Sequence, residues 1–440
     1  MVASLAKDLN IHIMGGMGSA LALARQGFRN IHVWESAAAI GEVGAGINIT
    51  PNLARILDNW GVLEIAKNEA VALKSASVLK CSTDEELTRV DFSYIEQEFG
   101  YPFFVVHRKA LQKCLVTGAL ESGVVQLYLG RLVTEYNFDS SRFLVSERGS
   151  DGRPVSSSAE WIEADVVLAA DGVKSKARGA MLSRKGEVDS VVDTGQAAYR
   201  ILVHRSQIND DPDLIPFFTD SHSSRWIGEK RHIIAYPIDS GQIYNMSTAH
   251  PDRNFVEADT WTAVGSKTEM LKTFEDFCPK VQKLLNLVPE GDVLEWKLRV
   301  HEPLPSWVDG NIALVGDACH PTLPHLAQGA AQAVEDAAVL GVVLGKIRSK
   351  SDVNKALRVY QALRKPRADW AVLTAAANGK GLHLGSGKDQ EARDSAFKAS
   401  SKQGGTNPDK AIDKNTQEVL YAYDCAAEAD KQFDELFATM

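Results

Sequence analysis

Short apolar runs alternate with helical stretches at the start of the chain. Residues 9–14 (LNIHIM) predict a buried strand, 19–26 a helix, and 30–34 (NIHVW) a second strand ending at Glu35. That order of strand, glycine turn, helix and strand predicts a dinucleotide-binding α/β unit. A glycine-rich loop (GEVGAGINIT, 41–50) and a helix at about 51–60 follow. A helix at 108–121 then leads into a strand at 125–129, a hairpin is expected at 133–146, and a strongly apolar strand at 164–172 (ADVVLAADG). From about 190 to 300 the pattern changes to short alternating strands such as RHIIAYPI and QIYNMST, which predict an antiparallel sheet. NIALVGDA (311–318) returns to the parallel type, and a helix starts near 329. Beyond about 352 the chain reads as helical, with a polar, Gly- and Lys-rich loop over 379–410. No internal repeat is visible, so a nucleotide-binding fold is interrupted by a second domain and then resumed.

Composition narrows the function classes. A chain of 440 residues has room for two or three cores. Hydrophobic residues at 45% and charged residues at 24% are an ordinary globular balance. The net charge of −9, with Lys and Arg dispersed, argues against nucleic acid or an anionic membrane as the main partner. Five scattered cysteines (Cys81, Cys114, Cys278, Cys319, Cys425) form no CxxC pair, so neither a disulfide framework nor a metal centre is expected. The first residues lack a signal-peptide core, and no apolar run approaches the ~18–20 residues of a membrane span. A cytoplasmic location is the expectation, and a homodimer is compatible with it.

Three separated strings carry chemistry. In IHIMGGMGSALALARQG (11–27), Gly15, Gly16 and Gly18 lead into a helix whose N–H groups and dipole suit a pyrophosphate, and Glu35 is placed to accept from ribose hydroxyls. Asp171–Gly172 with Ser175 and Arg178 follows a buried strand, at the end where open α/β sheets place ligands. GDACHPTLPHLAQGAAQAVEDA (316–337) runs from a strand through a proline-braced loop into a helix opened by Gln328, Gly329 and Ala330. Each string has a plainer alternative: a glycine turn, an Asx cap with a surface Arg, and a capped helix, respectively.

The order of these strings resembles the flavoprotein aromatic hydroxylases, the group that includes para-hydroxybenzoate and salicylate hydroxylases. The similarity spans roughly residues 9–375; GEVGAGI and DACHPTLPHLAQGAAQAVEDA are most similar to the salicylate hydroxylase-like branch. The resemblance implies FAD, with NADH or NADPH and dioxygen as cosubstrates, and a flavin C4a-hydroperoxide as the hydroxylating species. It implies a Rossmann-like FAD-binding domain interrupted by an antiparallel-sheet substrate domain, followed by a helical C-terminal region. On that basis the FAD-binding parts fall at 1–75, 106–185 and 301–378, substrate-domain strands at 76–105 and 186–300, and C-terminal loop and helices at 379–440. By position, Glu35 would hold the adenosine ribose, Arg108 the flavin side and Asp317 the ribityl chain, with Ala45, Gly46, Leu132, Asp171, Gly329 and Ala330 completing the cofactor site. One departure stands out: GGMG is about four residues shorter than a full GxGxxG loop. That is close to one helical turn, so the helix keeps its face while the loop shrinks. Because the other cofactor features are intact, the gap reads as residues omitted from the sequence.

On the substrate side, His232, Ile234 and Tyr236 of RHIIAYPI share one strand face. An imidazole, an aliphatic floor and a phenol suit a small hydroxylated ring; a core histidine with a satisfied tyrosine is the alternative. The resemblance places His325 of PHLAQG against the substrate, and Arg200 is a candidate for its carboxylate. A structural Arg between sheets is equally compatible with Arg200, and His320 reads as structural. A phenol is a far better nucleophile as phenolate, which an imidazole titrating near neutrality would promote. The expected reaction is hydroxylation of a small phenolic acid, foremost salicylate to catechol with release of carbon dioxide. Other phenolic or hydroxypyridine acids, a polyketide phenol, or a non-catalytic flavin-fold binder are the alternatives.

Overall fold

The computed structural model describes residues 5–41, 44–189, 191–252, 262–403 and 406–440. A sheet of six strands carries the dinucleotide-binding unit, in the order 308–309, 312–314, 166–170, 11–15, 31–34, 125–128. All its pairings are parallel except 308–309 with 312–314. Parallel strands are covered on both faces and therefore read as continuous apolar runs; Ile11, Ile13, Val166, Val167 and Leu168 are all buried. Ile11 pairs with both Ile31 and Val166, so these strands end level with one another. Gly15, Glu35, Asp171 and the residues after Leu314 therefore gather along one edge, where such sheets bind ligands.

The helix Met17–Arg25 starts two residues after that central strand. The shortened loop closes as a two-glycine turn, with Gly15 at φ 72 and Gly16 at φ 58. A Cβ on Gly16 would lie 2.7 Å from the Ala170 Cβ, so glycine is needed for conformation and for space alike. Behind this helix runs Gly329–Lys346, apolar nearly all round and buried along most of its length.

Eight strands form the second sheet, in the order 262–264, 294–301, 191–204, 243–251, 231–238, 222–228, 75–80, 86–91. It is antiparallel except between 222–228 and 75–80. A smaller sheet of 131–137, 142–147 and 160–163 contains the expected hairpin.

Two expectations need correction. The strand expected over 311–318 stops at Leu314, because Gly316 (φ 62) turns the chain into a 3-10 turn, Gly316–Ala318. The polar loop expected over 379–410 is largely helical: Val353–Leu382 runs through Pro366 and past position 379, and Lys388–Gln403 forms a further helix. The latter segment contains neither Gly nor Pro and buries Phe397; its polar surface face resembles a loop in composition alone. Among the described residues, no helix is long and apolar enough to cross a membrane.

Candidate active site

Each strand end at the ligand edge contributes one group. Glu35 turns one carboxylate oxygen back onto its own loop, accepting from the Ala37 N–H at 2.7 Å and the Ser36 hydroxyl at 3.2 Å. Its other oxygen stays available on a half-buried residue. Leu132, half-buried, follows Arg131, whose N–H donates to the Glu35 carbonyl. Gly18 faces away from this edge, towards Ala337 and Leu115, and serves helix packing. Asp171 supports the start of helix Lys176–Arg184, whose cap is Ser175: its Oδ2 accepts from Lys176 N at 2.8 Å, while its buried Oδ1 has no partner among the described residues.

Arg178 proves to be a clamp. It is buried, and it donates to Asp189, to the Val173 carbonyl and to the Ala318 carbonyl at 3.1 Å, which fixes the turn presenting Asp317. Asp317 stands exposed at this edge, just after the central sheet, and desolvation by the surrounding protein raises its pKa against the opposing pull of His320 and Arg108. Because solvent reaches its side chain, that push is offset. Arg108, exposed at the start of helix Arg108–Leu120, has its N–H on the Ala45 carbonyl at 3.0 Å.

The final motif folds into a buried ion network. Burial alone would lower the His320 pKa, but the Asp336 carboxylate at 2.6 Å outweighs it and holds the imidazole charged. Arg364 donates to Asp336 at 2.8 Å and to Glu335 at 2.5 Å, and Asn52 donates to Glu335 at 2.7 Å. His320 is thus structural. Cys319, His320 and Asp336 lie close together, but Arg364 and the Gly316 N–H already occupy the Asp336 oxygens. This network anchors the helix whose first residues, Gly329 and Ala330, stand half-buried with N–H groups not used in the helix.

The strand Arg231–Ile238 turns His232, Ile234 and Tyr236 to the same side. Tyr236 packs directly on Gly46, where a Cβ would lie 2.7 Å from the ring, and the Gly46 N–H donates to Asn245 at 2.6 Å. Ile234 and Tyr236 line a cavity of about 40 Å³, together with Asn48, Phe103, Ala327 and Arg225. His232 meets His325 at a ring-centroid distance of 5.2 Å.

Neither histidine stands alone. His383, from the end of helix Val353–Leu382, lies with its Nε2 2.6 Å from His232 Nδ1, and Gln196 approaches its Nδ1 at 3.1 Å. His325 is 1% exposed with both ring nitrogens unpartnered among the described residues. Asn378 donates to the His325 carbonyl and to Asp409, both at 2.9 Å, and Gly379 leaves room for the His325 ring. Sequence reading missed His383, Asn378, Arg225 and Asp409; only the placement of the C-terminal helix reveals them. Burial, reinforced by the other imidazoles and by Arg225, holds His232 well below the usual imidazole range and takes His325 to about 3. His383 is pushed down to about 4 by burial, Arg225 and Arg393. These are neutral imidazoles at neutral pH, which corrects the expectation of one titrating near 7. Arg200 stacks on Trp296 at 4.6 Å, and burial, then Arg108, lowers its pKa.

The model of an FAD-binding domain family matches residues 14–376. The FAD-dependent monooxygenase atnJ of an Arthrinium species is 31% identical over 418 residues, covering 95% of this chain and 93% of its own. The chain belongs to the FAD-dependent aromatic monooxygenases. The 3-hydroxybenzoate 6-hydroxylase 1 of Aquipseudomonas alcaligenes is 32% identical over 358 residues, 80% of this chain and 83% of its own. A solved salicylate hydroxylase–substrate complex shares the fold, with a TM-score of 0.75 at 23% identity and 98% coverage of both chains. FAD is the cofactor, and NAD(P)H is the cosubstrate typical of this family. The residues present fit it: a two-glycine turn against Ala170, the available Glu35 oxygen, and Asp317 open to the cleft.

Proposed function

We propose that this monooxygenase hydroxylates a small phenolic acid of the salicylate type, with loss of the carboxylate as carbon dioxide. The observation that carries this reading is His325, buried with both ring nitrogens unpartnered among the described residues, four positions before the Gly329 helix start. Buried polar atoms normally find a hydrogen-bond partner, so this ring is poised for one that arrives with a ligand. A phenol hydroxyl, which donates one hydrogen bond, meets the need of the unprotonated ring nitrogen.

Arg200 supports the acid. It hydrogen-bonds no carboxylate among the described residues and lies in the electrostatic reach of Tyr236 and Arg108. The relatives include enzymes named for 3-hydroxybenzoate and 6-hydroxynicotinate, each a hydroxylated aromatic acid.

FAD, when bound and reduced, supplies one electrophilic oxygen atom from dioxygen. The chain's residues set up the ring for it. Arg200 holds the carboxylate, Tyr236 and Ile234 form the floor, and neutral His325 accepts the phenol proton. Alone in this pocket its cation is disfavoured, but the phenolate formed beside it compensates as an ion pair. The phenolate pushes electrons into the ring carbon that bears the carboxylate; a C–O bond forms there and the C–C bond breaks. Overall, salicylate, NAD(P)H, dioxygen and two protons give catechol, NAD(P)⁺, carbon dioxide and water. Salicylate labelled with ¹³C in the carboxyl group should yield catechol and labelled carbon dioxide in equal amounts. A hydroxylated product that retains the label would rule out the decarboxylative course, and no product from any phenolic acid would remove the substrate class.

A further inference from the structure

The cavity under Tyr236 contains a charged pair that the motifs leave unexplained. Arg225, on strand His222–Gly228, and Asp409, from the C-terminal segment, both line it and are 4% and 1% exposed. Arg225 Nη1 donates to Asp409 Oδ2 at 2.6 Å. Asp409 is itself fixed, accepting from Asn378 at 2.9 Å and from the Ala411 N–H at 3.1 Å. Arg225 Nε, by contrast, is buried and has no partner among the described residues.

This arrangement decides what the guanidinium can recognise. With Asp409 on one side its charge is already compensated, and an incoming carboxylate would meet that negative charge. The Nε–H remains buried and unpartnered among the described residues, on a side chain that lines a cavity otherwise walled mainly by apolar side chains. Such a donor selects a ligand that brings an acceptor, because a ligand without one leaves it unpaired.

We propose that Arg225 is a substrate-binding residue that reads a second oxygen substituent on the aromatic ring through its Nε–H, with Asp409 as its positioning residue. The inference rests on the phenolic-acid reading: the carboxylate belongs to Arg200, the reacting hydroxyl to His325 and the further oxygen to Arg225. The substrate is then a dihydroxylated aromatic acid.

The test is equilibrium binding to the FAD-loaded enzyme, read by the change in flavin absorbance. The ligands are salicylate and the 2-hydroxybenzoates carrying either a hydroxyl or a methyl at each free ring position. Hydroxyl and methyl are alike in size, so their comparison isolates the acceptor. At one position the hydroxyl ligand should bind about tenfold more tightly than its methyl counterpart, as expected for one hydrogen bond to a charged donor. Arg225→Lys, which retains the pair with Asp409 but lacks Nε, should erase that preference. Asp409→Asn, which uncovers the charge, should instead favour a carboxylate at the same position, a gain that a purely structural role does not produce. If Arg225→Lys does not fold, the hydroxyl–methyl comparison in the wild type decides alone. Equal binding of each hydroxyl–methyl pair, or a preference that survives in Arg225→Lys, overturns the assignment. Salicylate binding without a hydroxyl preference defeats only Arg225; failure of every phenolic acid to bind defeats the underlying reading as well.

Discussion

His325, His383 and His232 are kept neutral by the same burial that shapes the pocket, and this couples the site to stability. An imidazole titrates near 6.5 when unfolded, whereas His325 is pushed down to about 3 and His383 to about 4. Between those values the unfolded chain binds protons that the fold refuses, so stability rises with pH across that window and is lost as pH falls from about 6.5 towards 4. The melting temperature should therefore drop over that range, and less steeply in the double variant His325→Asn/His383→Gln. Superimposable pH profiles would assign the acid sensitivity elsewhere. Arg200 makes a separable prediction. Arg200→Met should weaken binding of phenolic acids by about tenfold or more, the worth of a charged hydrogen bond, yet leave simple phenols unaffected. An equal loss for acids and phenols would make Arg200 a packing residue over Trp296.

At the scale of elements, the legible parts were those whose chemistry is local. The turn at Gly15–Gly16, the start of helix Gly329–Lys346 and the shared face of His232 and Tyr236 follow from residues adjacent in sequence. The partners of His232 and His325 were illegible because they come from 151 and 53 positions away, His383 and Asn378 respectively. Their helix was partly read as a loop, since polar residues and Gly379, Gly381, Gly385 and Gly387 dominate its end. That end now has a role: Asn378 ties the His325 loop to Asp409, and the 406–413 segment closes the cavity. An apolar cavity of about 150 Å³ holds one benzene ring, and this one is about 40 Å³, so a ring enters only if the closing segment shifts. Amide hydrogen exchange of Asp409 and Ala411 should change when a phenolic acid binds. Unchanged protection at saturating ligand would place the ring elsewhere.

Across the whole molecule, the alternation of strands and helices, and its change of texture between about 190 and 300, exposed two sheets of different type. It did not show that strands 75–80 and 86–91 join the distant sheet by pairing beside 222–228, since pairing between remote strands leaves no local signature. Nor did it show that Arg178 braces the Asp317 turn from 140 positions away. The short GGMG loop leads to a whole-chain test: if residues are missing from it, purified enzyme stripped of flavin should have an intact mass a few hundred daltons above 47.9 kDa. A mass at that value, with tight FAD binding, would mean that the two-glycine turn suffices. The most direct measurement of all follows oxygen uptake and hydrogen peroxide together during NAD(P)H oxidation, with and without a phenolic acid. A substrate held by Arg200 and His325 should accelerate NAD(P)H oxidation and turn most of the oxygen consumed into hydroxylated product. Oxygen appearing entirely as peroxide with every phenolic acid would contradict hydroxylation at this site.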